Sequence, residues 1–82
     1  MQRFHYVYIL VSKSARGRHY TGLTRNLTNR QKAHNAGQLP HTARHKPWRI
    51  ETAIAFDSRE KASSFEKYLK SHSGRVFARK HF

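Results

Sequence analysis

Glu66 is the residue of this 82-residue sequence whose type and position most suggest chemistry. It falls on or beside the apolar stripe that Ala62, Phe65 and Leu69 make at helical spacing. A carboxylate in such a place is costly unless it is paired or holds a cation. The other three acids have a predicted place in a cap or a strand: Glu51, Asp57 and Glu60. Glu66 is therefore a candidate metal ligand, or alternatively the ion-pair partner of Arg30 or a solvated edge residue.

Two tyrosines are predicted to lie side by side on one face of a hairpin. Side chains alternate faces along a strand, which places Tyr8 and Tyr20 on the same face of two neighbouring strands. A turn centred near Ser14 sets them opposite each other. Gly22 lies inside the second strand, where glycine often marks the close approach of a ligand or another backbone. The pair is either ordinary cross-strand packing or part of a site.

The first predicted helix carries polar residues on the face that should look inward. Its one large apolar residue is Leu27, and the residues stacked with it are Arg30, Gln31 and His34. One interpretation is a surface helix with a single anchoring leucine and a snorkelling arginine. The other is an arginine held beside the two tyrosines to bind a phosphate. The residues alone leave both open.

The charge balance predicts a polyanionic partner. Seventeen Lys and Arg face four Asp and Glu, which gives a formal net charge of +13. Such a charge informs about partners and solubility and says little about the fold. Ten of the cations are arginines, which suit bidentate contacts with phosphate. Nucleic acid is the expected partner, and a merely soluble basic protein or a binder of anionic membrane surfaces is the alternative.

Several cations fall at predicted loops and element edges, where they would meet backbone phosphates. Those proposed to bind nucleic acid are Arg25, Arg44, Lys46, Lys70 and Arg75. Trp48 lies next to this group in the sequence, and its ring is expected either to stack on a base or to belong to the core.

Other classes of protein are not supported by the sequence. There is no Cys, so disulfides and thiolate metal sites are excluded, and a reducing compartment such as the cytoplasm is expected. No apolar stretch approaches the roughly 18 residues that a membrane span needs, and the beginning of the sequence lacks the features of a signal peptide. Phosphate-loop, dinucleotide-binding and nucleophile-elbow motifs are absent.

Hydrophobic patterning divides the chain into six elements. Strands are predicted at 4–11, 18–24 and 48–56. A first helix is capped by Asn26 or Thr28 and ends near Gln38, followed by a loop to Pro47. A second helix starts from a capping box in which Asp57 is the cap, and it runs to about His72. Ser73 and Gly74 are expected to break it before a short last helix over 75–81.

These elements predict one domain over residues 1–82 in the α/β (α+β) class. The expected architecture is a small three-stranded mixed sheet flanked by helices, in the order β-β-α-β-α-α. A chain of this length buries only about 60–65% of its unfolded surface, so the core is expected to be small.

Five features in this order resemble the GIY-YIG nuclease superfamily. Tyr6–Tyr8 and Tyr20–Gly22 are similar to its two short motifs, and Arg30 and Glu66 follow in two successive helices. The stretch from Glu66 through Ser73–Phe77 resembles the small stand-alone members related to the N-terminal domain of the excinuclease subunit UvrC. The resemblance covers nearly the whole chain.

The resemblance implies a role for each of five residues. Tyr8 and Tyr20 match the motif tyrosines, Arg30 the helix arginine, His34 a polar position of the active site and Glu66 the metal-binding glutamate. It implies a divalent-metal-dependent endonuclease that hydrolyses phosphodiester bonds in DNA, with one Mg²⁺ or Mn²⁺ on Glu66. Tyr8 would orient or deprotonate the attacking water, and Arg30 would lower the pKa of its phenol from the usual value near 10.

The same resemblance suggests a part in DNA repair or recombination. The alternative is a non-catalytic DNA- or RNA-binding module that keeps the fold and the charge. We expect a monomer or weak dimer with no membrane association, and substrate choice is expected to come from loops, from dimerisation or from a protein partner, since fold alone does not set it.

Overall fold

The structure is a computed structural model that describes residues 4–82, in which three strands and four helices are present. The strands are β1 (His5–Ser12), β2 (His19–Thr24) and β3 (Trp48–Phe56). The helices are α1 (Leu27–Asn35), α2 (Pro40–Ala43), α3 (Arg59–Lys70) and α4 (His72–His81). The predicted domain and the assessment for a signal peptide both included residues 1–3, which lie outside the described part. None of the helices within residues 4–82 is long and apolar enough to cross a membrane.

The sheet has the strand order β2-β1-β3, and both pairings are antiparallel. The α+β class and the order of the main elements are therefore confirmed, but the prediction of a mixed sheet is wrong. Strands β2 and β3 do run in the same direction, because each is antiparallel to β1. They never pair, since β1 lies between them. The helix α2 is added in the segment that was predicted to be loop.

β1 is the central strand because its apolar run has partners on both faces of the sheet. Val7 and Ile9 pack on the α3 side with Ala62 and Leu69. On the opposite face Tyr8, Leu10 and Trp48 form a second cluster. Three partly buried side chains pack against it: Tyr20, Leu27 and Ile50. The helices α1 and α3 consequently lie on opposite faces, so side chains from the two helices reach the sheet from different sides.

The register of the hairpin differs from the predicted one. Tyr8 pairs with Gly22, and Leu10 pairs with Tyr20, so the turn is centred near Ala15. Ser12 fixes this turn, because its hydroxyl oxygen accepts hydrogen bonds from the backbone N–H groups of Ser14 and Ala15 at 3.1 and 2.9 Å. Tyr8 and Tyr20 are therefore diagonal neighbours on one face, rather than directly opposite each other.

Gly22 gives the Tyr8 ring the space it occupies. The phenol of Tyr8 leans across the neighbouring strand, and a Cβ atom added to Gly22 would lie 2.5 Å from Cζ of that ring and overlap its hydroxyl. The glycine therefore allows the close approach of the Tyr8 side chain, whereas the sequence suggested the approach of a ligand or of another backbone.

Polar caps set the ends of the helices, and two of them differ from the prediction. Asn26 caps α1 as expected, accepting from the N–H of Asn29 at 3.0 Å. Ser58, rather than Asp57, caps α3 by accepting from the N–H of Lys61 at 3.2 Å. Ser71 separates α3 from α4 and caps the latter, so the predicted break at Ser73 and Gly74 lies inside the first turn of α4.

Replacing Gly22 by alanine should lower the free energy of unfolding by about 1–3 kcal/mol, because the new methyl group enters the space of the Tyr8 phenol. Urea denaturation followed by circular dichroism measures the change. The matched control is the same substitution in a Tyr8→Leu background, where the penalty should largely disappear. An equal loss in both backgrounds would show that Gly22 is needed for another reason.

Candidate active site

A buried hydrogen bond joins the middle of the sheet to the end of α1. The hydroxyl of Tyr8 lies 3.0 Å from Nε2 of His34. Both side chains are removed from solvent, with 2% of Tyr8 and none of His34 exposed. His34 is the inward-facing residue of a helix that has few apolar side chains, so this contact anchors α1 to β1.

The other nitrogen of His34 decides the direction of the hydrogen bond to Tyr8. Nδ1 lies 2.7 Å from the hydroxyl oxygen of Thr42, and that hydroxyl donates to the carbonyl of Leu39 at 3.4 Å. A hydroxyl has one hydrogen to donate, so these contacts favour the tautomer in which Nδ1 carries the ring proton and donates to Thr42. Nε2 then has a free lone pair, and the Tyr8 hydroxyl donates to it. Thr42 was not anticipated from the sequence, since it lies in a segment predicted to be loop.

Trp48 joins this chain of hydrogen bonds at the backbone of Thr42. Its indole N–H donates to the carbonyl of Thr42 at 2.8 Å, and only 3% of the residue is exposed. The proposal that Trp48 stacks on a base is therefore wrong for this fold, because the ring packs with Tyr8 and Leu10 in the core. The alternative of a core role holds.

Tyr20 completes a group of three rings on the same face. Its ring centroid lies 5.0 Å from that of His34 and 6.4 Å from that of Tyr8. Tyr8 and Tyr20 thus share an environment despite their diagonal register. Tyr20 is less buried than the other two rings, which leaves it as the member of the group that faces the surface.

Arg30 and Glu66 act on these rings through their charges. Arg30 lowers the pKa of both Tyr8 and His34, and Glu66 raises the pKa of Tyr8. Arg30 lies on α1, on the face of the sheet that bears the tyrosines, whereas Glu66 comes from α3 on the opposite face. The fold therefore places Tyr20, Arg30 and Glu66 where their charges change the pKa of Tyr8. It also places Arg30 where its charge changes the pKa of His34.

Burial is the main cause of the pKa shifts of Tyr8 and His34. It is the main reason that the pKa of Tyr8 lies well above its ordinary value, with Tyr20 and Glu66 adding to the effect and Arg30 opposing it. Arg30 does lower the pKa of the Tyr8 phenol as expected, but desolvation outweighs that one charge and the pKa lies above its usual value. Burial and then Arg30 lower the pKa of His34, so its imidazole is neutral at pH 7.

Glu66 has an ion-pair partner, although not the one that was considered. Its carboxylate lies 2.9 Å from the ammonium of Lys70, one helical turn further along α3. The carboxylate is mostly buried and the lysine side chain is half exposed, so the anion is held in place while the cation remains free to move. Glu66 is therefore paired with Lys70 and not with Arg30, which was the alternative considered.

Glu66 fits a magnesium or manganese ion by the chemistry of its donor group. Mg²⁺ is usually bound through one or two carboxylates together with waters and substrate phosphates, and it rarely has an all-protein cage. Within residues 4–82 no three His, Asp or Glu side chains are grouped as such a cage. A lone, partly buried carboxylate close to a candidate phosphate site matches the open type of site.

The cations proposed to bind nucleic acid divide into two groups. Lys70 and Arg75 line a groove of about 750 Å³ beside α4, which we call the α4 groove. Arg25, Arg44 and Lys46 are exposed elsewhere and do not line it. The residues lining the α4 groove are Ile9, Gly17, Arg18, His19, Tyr20, Thr21, Glu51, Leu69, Lys70, Arg75, Ala78, Arg79 and Phe82.

Comparison with known proteins gives one family and one close relative. The sequence pattern of the GIY-YIG catalytic domain matches residues 4–80. The UPF0213 protein BH0048 of Halalkalibacterium halodurans is 39% identical over 72 residues, which are 87% of this chain and 74% of that protein.

A solved structure gives the same result for the fold. The solution NMR structure of the UPF0213 protein BH0048 from Bacillus halodurans superposes with a TM-score of 0.56 at 36% identity. The superposition covers 93% of this chain and 80% of that one. The antiparallel sheet and its helices are therefore shared with an experimentally determined relative.

Lowering the pH below 6.5 should destabilise the protein through His34. Its pKa is lower in the folded than in the unfolded state, so the unfolded chain binds the proton more readily. The contribution is complete above 6.5 and is lost as the pH falls toward the folded-state pKa. Urea denaturation at several pH values should give a flatter pH dependence for His34→Gln. The exposed His72→Gln variant should keep the wild-type slope, and equal slopes in all three proteins would contradict the assignment.

Proposed function

This chain belongs to the GIY-YIG nuclease family, and from that premise we propose that it is a divalent-metal-dependent endonuclease that hydrolyses phosphodiester bonds in DNA. The observation that supports this most is the contact between Tyr8 and neutral His34, with Tyr20 beside them and the charges of Arg30 and Glu66 acting on the pair. A buried phenol bonded to a proton acceptor is suited to moving a proton. The proposed catalytic domain spans the single unit of residues 1–82.

The proposed base is the Tyr8–His34 pair, rather than Tyr8 as a phenolate. The attacking water gives a proton to the Tyr8 oxygen as the Tyr8 hydroxyl passes its own proton to Nε2 of His34. A bond forms between the water oxygen and phosphorus, and the bond to the leaving 3′ oxygen breaks. That oxygen takes its proton from solvent. Because Tyr8 is never required to be ionised beforehand, its raised pKa does not oppose this route.

Arg30 has two effects in this scheme. Its guanidinium places positive charge beside the reacting phosphate, where negative charge grows in the transition state. It also lowers the pKa of His34, which keeps the imidazole unprotonated at neutral pH and makes it a weaker base than a free imidazole. Tyr20, on the surface side of the three rings, is placed to contact the phosphate or the incoming water.

Glu66 is the proposed ligand of one Mg²⁺ or Mn²⁺ ion. When bound, such an ion polarises the phosphate and stabilises the leaving oxygen. Lys70 orients the carboxylate, and because the lysine is half exposed its ammonium is free to turn toward a substrate phosphate. Glu66 therefore changes partner with a modest cost when the site fills.

DNA is the proposed substrate because the family acts on it and because the chain carries a formal charge of +13. RNA stays the alternative polyanion, and a part in repair or recombination stays a prediction from the sequence resemblance. A protein partner or a weak dimer remains the proposed source of substrate choice.

Removing the carboxylate or the phenolic hydroxyl should abolish cleavage. Glu66→Gln and Tyr8→Phe are each expected to lower the rate of plasmid nicking in Mg²⁺ or Mn²⁺ by about 10²–10⁴-fold, since each loses a group acting in the reaction. The matched control is Glu60→Gln, which changes an exposed acid of the same helix and should cleave like wild type. Circular dichroism checks that each variant is folded.

The rival is a non-catalytic nucleic-acid-binding module, and the same assay separates the two. Such a module would bind DNA in a salt-sensitive way and leave plasmid, single-stranded and branched DNA intact in every metal. Nicking that persists in EDTA, or that is equal in wild type and both site variants, would overturn the nuclease proposal.

The acid limb of the pH–rate profile should report His34. Its neutral form is required, so kcat/KM should fall as the pH drops through a pKa below 6.5. Arg30→Gln removes one cause of the lowered pKa, and the limb should move to higher pH, whatever happens to the absolute rate. Arg44→Gln alters an exposed arginine and should leave the limb in place. A limb that does not move in Arg30→Gln would contradict the proton-accepting role of His34.

A further inference from the structure

The α4 groove adjoins the candidate active site through two residues. Lys70 lines the groove and holds the Glu66 carboxylate at 2.9 Å. Tyr20 also lines it, and its ring lies against His34 with centroids 5.0 Å apart. The apolar residues of the groove lie on the α3 face and the three rings on the opposite face, so a strand whose phosphate lay at Glu66 would enter the groove past Lys70.

The floor of the groove is apolar, which a surface that binds only phosphates does not need. Ile9 and Leu69 line it, although both are almost fully buried. Ala78 extends the floor along α4, and Phe82 stands beside it with 40% of its surface exposed. Phe82 is anchored by an edge-on contact with Phe77 at 5.5 Å, so its ring is held in position. The accessible apolar surface is therefore that of Ala78 and Phe82, and an exposed aromatic ring is suited to the face of a base.

The rim of the groove is cationic. Arg18 reaches it from the hairpin turn, Lys70 from the end of α3, and Arg75 and Arg79 from successive turns of α4. The rim therefore complements the phosphates on either side of a nucleotide whose base lies on the floor. This arrangement combines an electrostatic track with a stacking surface.

One acid in the groove argues against a purely phosphate-binding role. Glu51 is the extra residue of a β-bulge, since Ile9 pairs with Thr52 and Leu10 with Ile50. The bulge leaves Glu51 lining the groove, 3.8 Å from the ring of His19. A carboxylate repels phosphate but accepts hydrogen bonds from the amino groups of bases.

We propose that the α4 groove binds an unpaired nucleotide of the substrate strand next to the scissile phosphate, with its base on the apolar floor and its phosphates at the cationic rim. This rests on the proposed function and specifies its substrate class. In a duplex the base faces are stacked on one another and unavailable, so the groove selects single-stranded, looped or frayed DNA.

Binding without cleavage tests the groove separately from the nuclease activity. Fluorescence anisotropy in EDTA compares three labelled DNAs of equal length: a single strand, the same strand with abasic residues in place of its bases, and the duplex. The first two have the same phosphates, so their affinity ratio isolates the bases. Wild type should bind the normal strand about tenfold more tightly than the abasic strand, and more tightly than the duplex.

Variants locate the preference in the groove. Phe82→Ala should bring the ratio of normal to abasic affinity close to one and leave abasic binding unchanged, while Phe82→Trp should restore the ratio. Arg79→Gln should weaken both strands equally and reduce the salt slope by about one. The matched control is Phe4→Ala, because Phe4 is equally exposed at 42% and does not line the groove.

Two results would overturn the proposal. Equal affinity of wild type for normal and abasic strands would leave a groove that reads phosphates alone. A ratio unchanged in Phe82→Ala, or lost equally in Phe4→Ala, would place base contacts elsewhere. Because these measurements involve no metal and no cleavage, their failure is distinct from failure of the nicking assay.

Discussion

The hydrogen bond between Tyr8 and His34 is the contact on which the candidate site depends. It joins the central strand to α1 across 26 residues of sequence, and both partners are buried. Within residues 4–82 no buried side-chain polar atom lacks a partner, because Thr42 satisfies the other nitrogen of His34. The same burial that makes these bonds necessary raises the pKa of Tyr8 and lowers that of His34. Structure and proposed chemistry thus have one physical cause.

The charges that attract a polyanion and the charge proposed to act in the reaction belong to different residues. Seventeen cations against four acids in the sequence favour any polyanion, and among the acids of residues 4–82 Glu66 is the one whose charge acts on the Tyr8 phenol. Lys70 contacts this acid and lines the α4 groove, so the proposed site for the phosphate and the proposed site for a base share one residue. An exposed ammonium on a flexible stem is suited to this double role, whereas a rigid guanidinium is less so.

Much of the fold was predictable, and the errors have identifiable causes. Strand and helix positions followed from hydrophobic period and from caps such as Asn26, which are local signals. Strand direction was missed, because antiparallel pairing of β3 with β1 depends on a crossover that no short segment encodes. The turn was misplaced by one residue, since Ser12 offers its hydroxyl to two backbone amides and no propensity distinguishes that from a turn at Ser14.

The sequence by itself determined which residue types stand at which periodic positions, and together with the family resemblance this was enough to select Tyr8, Tyr20, Arg30, His34 and Glu66. Tertiary structure alone decided their partners and protonation. It paired Glu66 with Lys70, placed Thr42 on His34 and turned Trp48 into the core, away from any base. The physical reason is that a pKa and an ion pair depend on burial and on distances between elements, and neither quantity exists until the chain is folded.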